Sequence, residues 1–189
     1  IANLRNVNTN WGDELYRTAV NQDHSMSISG GTDRASYYFS TGYYSELGTT
    51  AGTSLRRLNF TLKGDYKLLN NLTVGVAMYS TERKQGSYLT NTGSLTNPAE
   101  YSRNASPYLS IYDDNGDYVY DPNIQLYNGK ILDYNIIEER NNTSNMQKTR
   151  SLNSVFNVDW TIIPKLNLRT QLGLQRDNVN TQLYGSKDS

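Results

Sequence analysis

Cysteine is absent from the 189 residues, which excludes a disulfide framework and any thiolate metal site while saying little about compartment. Histidine occurs once, at His24, so neither a histidine-based triad nor a multi-histidine zinc site can be built from this chain. Net charge is missing as well. The 18 Lys and Arg residues balance 18 Asp and Glu, giving no sign of the basic patch that marks a nucleic-acid partner. No stretch approaches the roughly 18 consecutive apolar residues of a membrane-spanning helix. Hydrophobic residues make up only 36% and mean hydropathy is -0.70, a poor recipe for a dry core.

What is present points elsewhere. Tyr occurs 16 times and Asn more than twenty times. Disorder is a poor reading, because disordered chains are depleted in aromatics and carry high net charge. A transmembrane β-barrel fits, since its strands alternate a lipid-facing apolar residue with a lumen-facing polar one and so average to a hydrophilic mean.

Period-2 alternation, the mark of half-buried strands, runs through most of the chain. Met26 and Ile28 alternate with Ser25, Ser27 and Ser29, and Tyr37, Phe39, Thr41 and Tyr43 oppose Tyr38, Ser40, Gly42 and Tyr44. The cleanest run sets Leu58, Phe60, Leu62 and Tyr66 against Arg57, Asn59, Thr61, Lys63 and Asp65. A fourth sets Leu72, Val74, Val76 and Met78 against Thr73, Gly75, Ala77 and Tyr79. Phe156, Val158 and Trp160 open the last pair, with Leu166, Leu168, Leu172 and Leu174 opposing Asn167, Arg169 and Gln171. Six strands are expected, each of roughly 8 to 12 residues, the length that crosses a bilayer at a tilt.

The connections alternate between tight and long. Gly30-Gly31-Thr32-Asp33, Leu69-Asn70-Asn71 and Ile163-Pro164-Lys165 are tight turns, whereas 46–54 and the stretch from Glu82 to Lys148 are long. Short turns on one rim and long loops on the other are the asymmetry of outer-membrane barrels. The expected fold is therefore all-β: an antiparallel up-and-down meander forming part of a transmembrane β-barrel wall, with a long loop containing a β-hairpin. The organisation reads as a lead-in segment with short helical turns (1–21), four strands (22–81), an extracellular-type loop region (82–148), and two strands with the start of a loop (149–189). Within these, Trp11 to Ala19 is expected as helical turns capped by Asn10. The Asn115-Gly116 pair marks a hairpin between Tyr112 and Tyr118, and Ile131 to Arg140 is expected as a short helix weakened by Asn135. The chain opens at Ile1 and stops at Ser189 with neither a leader nor an evident terminus, and is expected to be a section of a longer protein.

Several runs then resemble one family. Asn10-Trp11-Gly12-Asp13-Glu14-Leu15-Tyr16-Arg17-Thr18-Ala19, followed by His24-Ser25-Met26-Ser27-Ile28-Ser29-Gly30-Gly31, resembles the start of the barrel in SusC/RagA-type TonB-linked outer-membrane proteins (TonB-dependent transporters). Tyr37 to Tyr43, Arg56 to Phe60, Leu72 to Gly75, Ser106-Pro107, the Tyr-Asp-Asp-Asn-Gly turn and Glu139 to Asn142 continue the likeness in the same order. The resemblance implies a barrel of about 22 strands with an N-terminal plug, importing glycan or peptide fragments across the cell outer membrane with force from TonB. It implies a SusD-like surface lipoprotein as partner and an oligosaccharide or peptide as substrate. The plug and the TonB-contacting part lie outside these residues, so the section alone is expected to be inactive.

No catalytic, cofactor-binding or metal residues are assigned. Asp113, Asn115 and Asp117 have the alternate spacing of a calcium loop, yet Tyr118 and Ile124 stand where Gly and a carboxylate are required. Glu138 and Glu139 are adjacent and point apart, unlike a hydrolase pair. Gly30-Gly31 precedes no helix, unlike a phosphate-cradling loop. Tyr37, Phe39, Tyr43, Tyr44, Tyr66, Tyr79 and Trp160 read as interfacial girdle residues. The loop tyrosines Tyr101, Tyr108, Tyr112, Tyr118, Tyr120, Tyr127 and Tyr134 are the candidate ligand or partner contacts, suited either to stack on a sugar or to pack against a partner or plug. Arg57, Lys63, Asp65, Asp159 and Arg169 are expected to face a wet lumen. The competing reading is a secreted β-sandwich carbohydrate-binding module, whose apolar positions would converge from two stacked layers. An enzyme ranks third, for want of a catalytic constellation.

Overall fold

The computed structural model describes residues 7–89, 97–120 and 134–187. Its six strands are β1 (Asn21–Gly31), β2 (Ala35–Leu47), β3 (Ser54–Leu69), β4 (Leu72–Ser87), β5 (Thr143–Ile163) and β6 (Leu166–Gly185). They form one sheet in sequential order, with every neighbouring pair antiparallel. This is the simplest topology that tight turns between adjacent strands can produce.

Register converts the alternation of each strand into two continuous faces. One row runs Ile28, Phe39, Leu62, Met78, Ser154 and Leu174, and the next toward the tight turns runs Gly30, Tyr37, Gly64, Val76, Phe156 and Leu172. The opposite face carries rows such as Ser27, Ser40, Thr61, Tyr79, Asn153 and Gln175. A slip of one residue at any strand would mix the two sets.

Among the described residues the apolar face has no second layer. Met26 is 65% exposed, Phe60 45% and Leu172 58%. Each such side chain forgoes on the order of 1 kcal/mol of burial while it faces water, so the face requires an apolar neighbour. A sandwich would have sealed these positions between two sheets, and that reading is set aside.

β1, at 11 residues, has the expected length, while the other five are longer, at 13, 16, 16, 21 and 20 residues. β4 runs to Ser87 and β5 begins at Thr143, so the loop region starts and ends inside the 82 and 149 boundaries read from sequence. Glu82 pairs with Arg150 and Ser87 with Asn145. Polar residues occupy both faces there, which silences the alternation signal although backbone pairing continues.

Tight turns close the near rim. In the first, Thr32 N–H donates to the Ala35 carbonyl at 2.7 Å. In the last, Pro164 precedes Lys165 at φ 80, a left-handed conformation that a non-glycine residue adopts at some cost. Asn71 locks two turns together, donating from Nδ2 to the Thr161 carbonyl and accepting from Thr161 N–H, both at 2.8 Å.

Three short helices gather at the other rim: α1 (Trp11–Leu15), α2 (Pro98–Asn104) and α3 (Ile136–Asn142). α1 is capped by Asn10 as expected but stops at Leu15 instead of Ala19, because Tyr16 turns extended and bridges Thr50. α3 starts at Ile136 with Asn135 as its N-cap, so the residue expected to weaken the helix begins it. α2 was not expected, although Asn97-Pro98 carries a cap followed by proline at the first turn. Residues 131–133 lie outside the described residues.

Candidate functional site: the long-loop rim and the polar wall

Every buried large hydrophobic among the described residues lies at the long-loop rim: Trp11, Leu15, Tyr88, Tyr101, Tyr134, Ile136 and Ile137. Trp11 meets Tyr101 edge-on, with centroids 5.0 Å apart at 85°, and Tyr101 meets Tyr134 at 6.3 Å and 62°. Trp11 Nε1 donates to the Ser106 carbonyl at 3.0 Å, which satisfies the indole as its ring leaves water.

Two arginines tie together the segments around this cluster. Arg17 donates from Nε to the Gly48 carbonyl at 3.1 Å and from Nη2 to the Thr53 carbonyl at 3.0 Å. Arg140 Nη1 donates to the Glu14 carbonyl at 2.9 Å, satisfying an acceptor at the C-terminal end of α1. Gly52 sits beneath Arg140 at φ 86, and a Cβ there would stand 3.0 Å from Arg140 Cγ, so any other residue would be strained in backbone and contact. These anchors were not singled out as functional residues in the sequence. Their signals were the Trp-Gly-Asp-Glu-Leu-Tyr-Arg-Thr run for Arg17 and the Glu139 to Asn142 run for Arg140.

The seven candidate tyrosines divide. Tyr101 and Tyr134 are buried in the cluster, so they can support a binding surface but cannot present one. Desolvation pushes the Tyr134 phenol well above its ordinary value, and Glu139 adds to the shift. Tyr112 and Tyr118 pair with each other, centroids 5.1 Å apart, and Asn141 Nδ2 donates to Tyr118 Oη at 3.0 Å. Tyr108 is 60% exposed and Tyr120 40%, and Tyr112, although paired with Tyr118, is 46% exposed. Tyr127 lies outside the described residues.

Between Tyr112 and Tyr118 the chain forms the expected hairpin, with Gly116 rather than Asn115 at positive φ. Asp113 organises its tip. Its Oδ1 accepts from Asn115 N–H at 2.8 Å and from Asp117 N–H at 2.9 Å. The carboxylate is therefore turned onto its own backbone, away from a calcium-binding arrangement. Among the described residues no three His, Asp or Glu side chains converge.

Those backbone donors, Asp117 first, hold the Asp113 carboxyl below its usual value. A depressed folded value means that the carboxylate stabilises the hairpin fully above the unfolded pKa, about 3.9. The contribution fades as pH falls through the lower folded value. The protection of the Asn115 and Asp117 amides, taken relative to their intrinsic exchange at each pH, is expected to fall below about pH 4, and Asp113→Asn should flatten that dependence. Unchanged protection across the acid range would refute the assignment.

The polar sheet face forms a second surface. Lys63 Nζ stands over the rings of both Tyr38 and Tyr79, at 5.8 and 5.6 Å, and the Arg57 guanidinium lies 5.2 Å from the Tyr44 centroid. Tyr44 and Tyr79 thus belong to the polar wall and not to the girdle expected from sequence. The other girdle aromatics, Tyr37, Phe39, Tyr43, Tyr66 and Trp160, share the apolar face. The Asp159 carboxylate accepts from Arg169 on the neighbouring strand, and Asp65 accepts from Ser36 Oγ at 3.3 Å. All five residues expected to face a lumen stand on this side of the sheet.

No family model matches the chain. Among individual proteins, it is 24% identical over 183 residues to TonB-dependent receptor P3 of Formosa agariphila, covering 92% of this chain and 17% of that protein. It is 41% identical over 56 residues to TonB-dependent receptor SusC of Bacteroides thetaiotaomicron, covering 30% of this chain and 6% of SusC. TonB-dependent receptor P39 of Formosa agariphila matches at 28% over 107 residues, 57% of this chain and 10% of that protein. The chain thus spans less than a fifth of the length of these relatives. In three dimensions it superposes on the RagAB peptide importer in its closed-closed state with a TM-score of 0.69 at 21% identity, covering 94% of this chain and 20% of that one. An apolar face without a second layer among the described residues, a polar face lined with charge, and rims of unequal loop length agree with these matches: the chain is similar to TonB-dependent receptors of the SusC/RagA type, and its sheet has the fold of a section of their β-barrel wall.

Proposed function

We infer that the protein containing these residues is an outer-membrane transporter that takes up glycan or peptide nutrients. The observation that carries this is the division of one sheet into an apolar face needing lipid and a polar face needing water. The six strands alone leave β1 and β6 with free edges and enclose no pore, so this section does not import by itself. TonB acts through parts of the protein outside these residues. A SusD-like surface lipoprotein meets the long-loop rim, where the buried Trp11, Tyr101 and Tyr134 cluster gives a fixed base for the outward tyrosines.

Tyr108 and Tyr120 are the residues best placed for ligand or partner contact, since both are exposed beside that base. In the full-length receptor, Tyr108→Ala combined with Tyr120→Ala is expected to weaken binding of substrate or lipoprotein by roughly tenfold, as loss of one or two interface aromatics commonly does. Calorimetry with an oligosaccharide, a peptide and the purified lipoprotein would say which partner is affected. Unchanged affinity for all three would refute the role of these tyrosines.

A further inference from the structure

Along the outward-facing side of the sheet, the apolar rows end abruptly on the long-loop side. Phe60, Ser80 and Leu152 form one rung. The next rung keeps Leu58 on β3 but carries Glu82 and Arg150 on β4 and β5, and the one beyond it carries Arg56, Lys84 and Lys148. Arg176 adds a further cation beside Leu152. Three cations, Lys84, Lys148 and Arg150, thus meet one carboxylate, with Arg56 and Arg176 on the adjoining rungs.

The distances show how the charge is arranged. Arg150 Nε donates to Glu82 Oε2 at 2.8 Å, Lys148 Nζ lies 3.1 Å from Glu82 Oε1, and Lys84 Nζ lies 3.7 Å from the same oxygen. Arg150 and Lys84 keep 64% and 50% of their side-chain surface accessible. Glu82 draws the cations together and neutralises only one of them. The Glu82 rung stands roughly 7 Å beyond the Ser80 rung at about 3.3 Å per residue, which places the cluster at headgroup level above the apolar band.

We propose that this cluster binds the phosphate-bearing headgroup of an anionic lipid in the surface leaflet, with the acyl chains lying on Leu152, Leu172 and Leu174. The proposal rests on the barrel-wall reading above. Position selects a lipid over a free anion: the cations crown the apolar face, continuous with side chains that hydrocarbon would cover, and stand on the side of the sheet away from the polar wall. A membrane lipid presents phosphate and hydrocarbon in this vertical order.

The test uses the full-length receptor reconstituted in nanodiscs of equal phosphatidylcholine and phosphatidylglycerol, with retained lipids counted by native mass spectrometry. The receptor is expected to retain phosphatidylglycerol preferentially. Lys84→Gln, Lys148→Gln and Arg150→Gln together should reduce that enrichment about tenfold or more, given the contribution of each interfacial cation. Glu82→Gln, which removes the opposing charge, should increase it. Equal retention of the two lipids by the unmodified receptor, or enrichment indifferent to these changes, would overturn the proposal. If inorganic phosphate alone saturates the site in detergent and no lipid is retained, the source is a soluble anion and the proposal also falls. A nitroxide at Val76→Cys separates the two levels of inference. Oxygen-accessible, lipid-like collision rates there with no lipid enrichment would sink only the headgroup site, whereas a water-exposed label would sink the barrel-wall reading itself.

Discussion

Replacing Leu62 with Lys is expected to destabilise the folded barrel by about 2 to 4 kcal/mol, the range for a cation placed at the lipid-facing midplane. Thr61→Lys, one residue away, should cost well under half of that. Leu62 sits in a row between Phe39 and Met78, two rungs from the charged edge at Glu82. Lysine there must either shed its hydration or pull water and headgroups into the hydrocarbon. Thr61 lies between Ser40 and Tyr79 on the opposite face, next to a position where the sequence already carries Lys63. Denaturant unfolding of the full-length receptor in lipid vesicles would measure both. Equal costs would contradict the assignment of the two faces, because nothing about strand propensity distinguishes adjacent positions to that degree.

The second large effect is local. Asn135→Leu is expected to remove about 3 kcal/mol from the rim while leaving the sheet intact. The Asn135 side chain is 2% exposed as part of its residue and meets four backbone groups. Its oxygen accepts from Ile137 N–H at 3.0 Å and Glu138 N–H at 3.4 Å, capping α3, while Nδ2 donates to the carbonyls of Ile111 and Val119 at 3.1 and 3.0 Å. Loss of the cap costs about 1 kcal/mol, and each buried carbonyl left without a donor costs about 1 or more. Hydrogen exchange should show residues 111–119 and 136–142 losing protection together while β3 to β5 are unchanged. Asn135→Asp, which retains the acceptor but not the donors, should release the hairpin side first. Exchange confined to α3 would show that the hairpin is held by something else.

The division of faces was legible because each strand carries its own copy of the pattern. Leu58 to Tyr66 alternates cleanly enough that a reader needs no neighbour to orient it. The strand ends were not legible. Beyond Glu82 and before Arg150 both faces are polar, and alternation of hydropathy cannot report pairing between two hydrophilic surfaces. The role of Asn135 was misread for a related reason: helix propensity counts it as a weak interior residue, whereas its value as a cap depends on the chain turning just before Ile136. Seven tyrosines in one loop looked equivalent in sequence. Which of them face inward depends on Trp11, more than eighty residues earlier, reaching Tyr101 and Ser106.

By itself the sequence determined the strand count, the tight turns and which residues share a face, since these follow from local periodicity and turn chemistry. Tertiary structure alone decided where Tyr101 and Tyr134 are buried, how far β4 and β5 extend, and that Lys84, Lys148 and Arg150 meet around Glu82. The physical reason is range. Alternation is encoded between residues two apart, while burial and charge clustering arise only when register brings distant segments side by side.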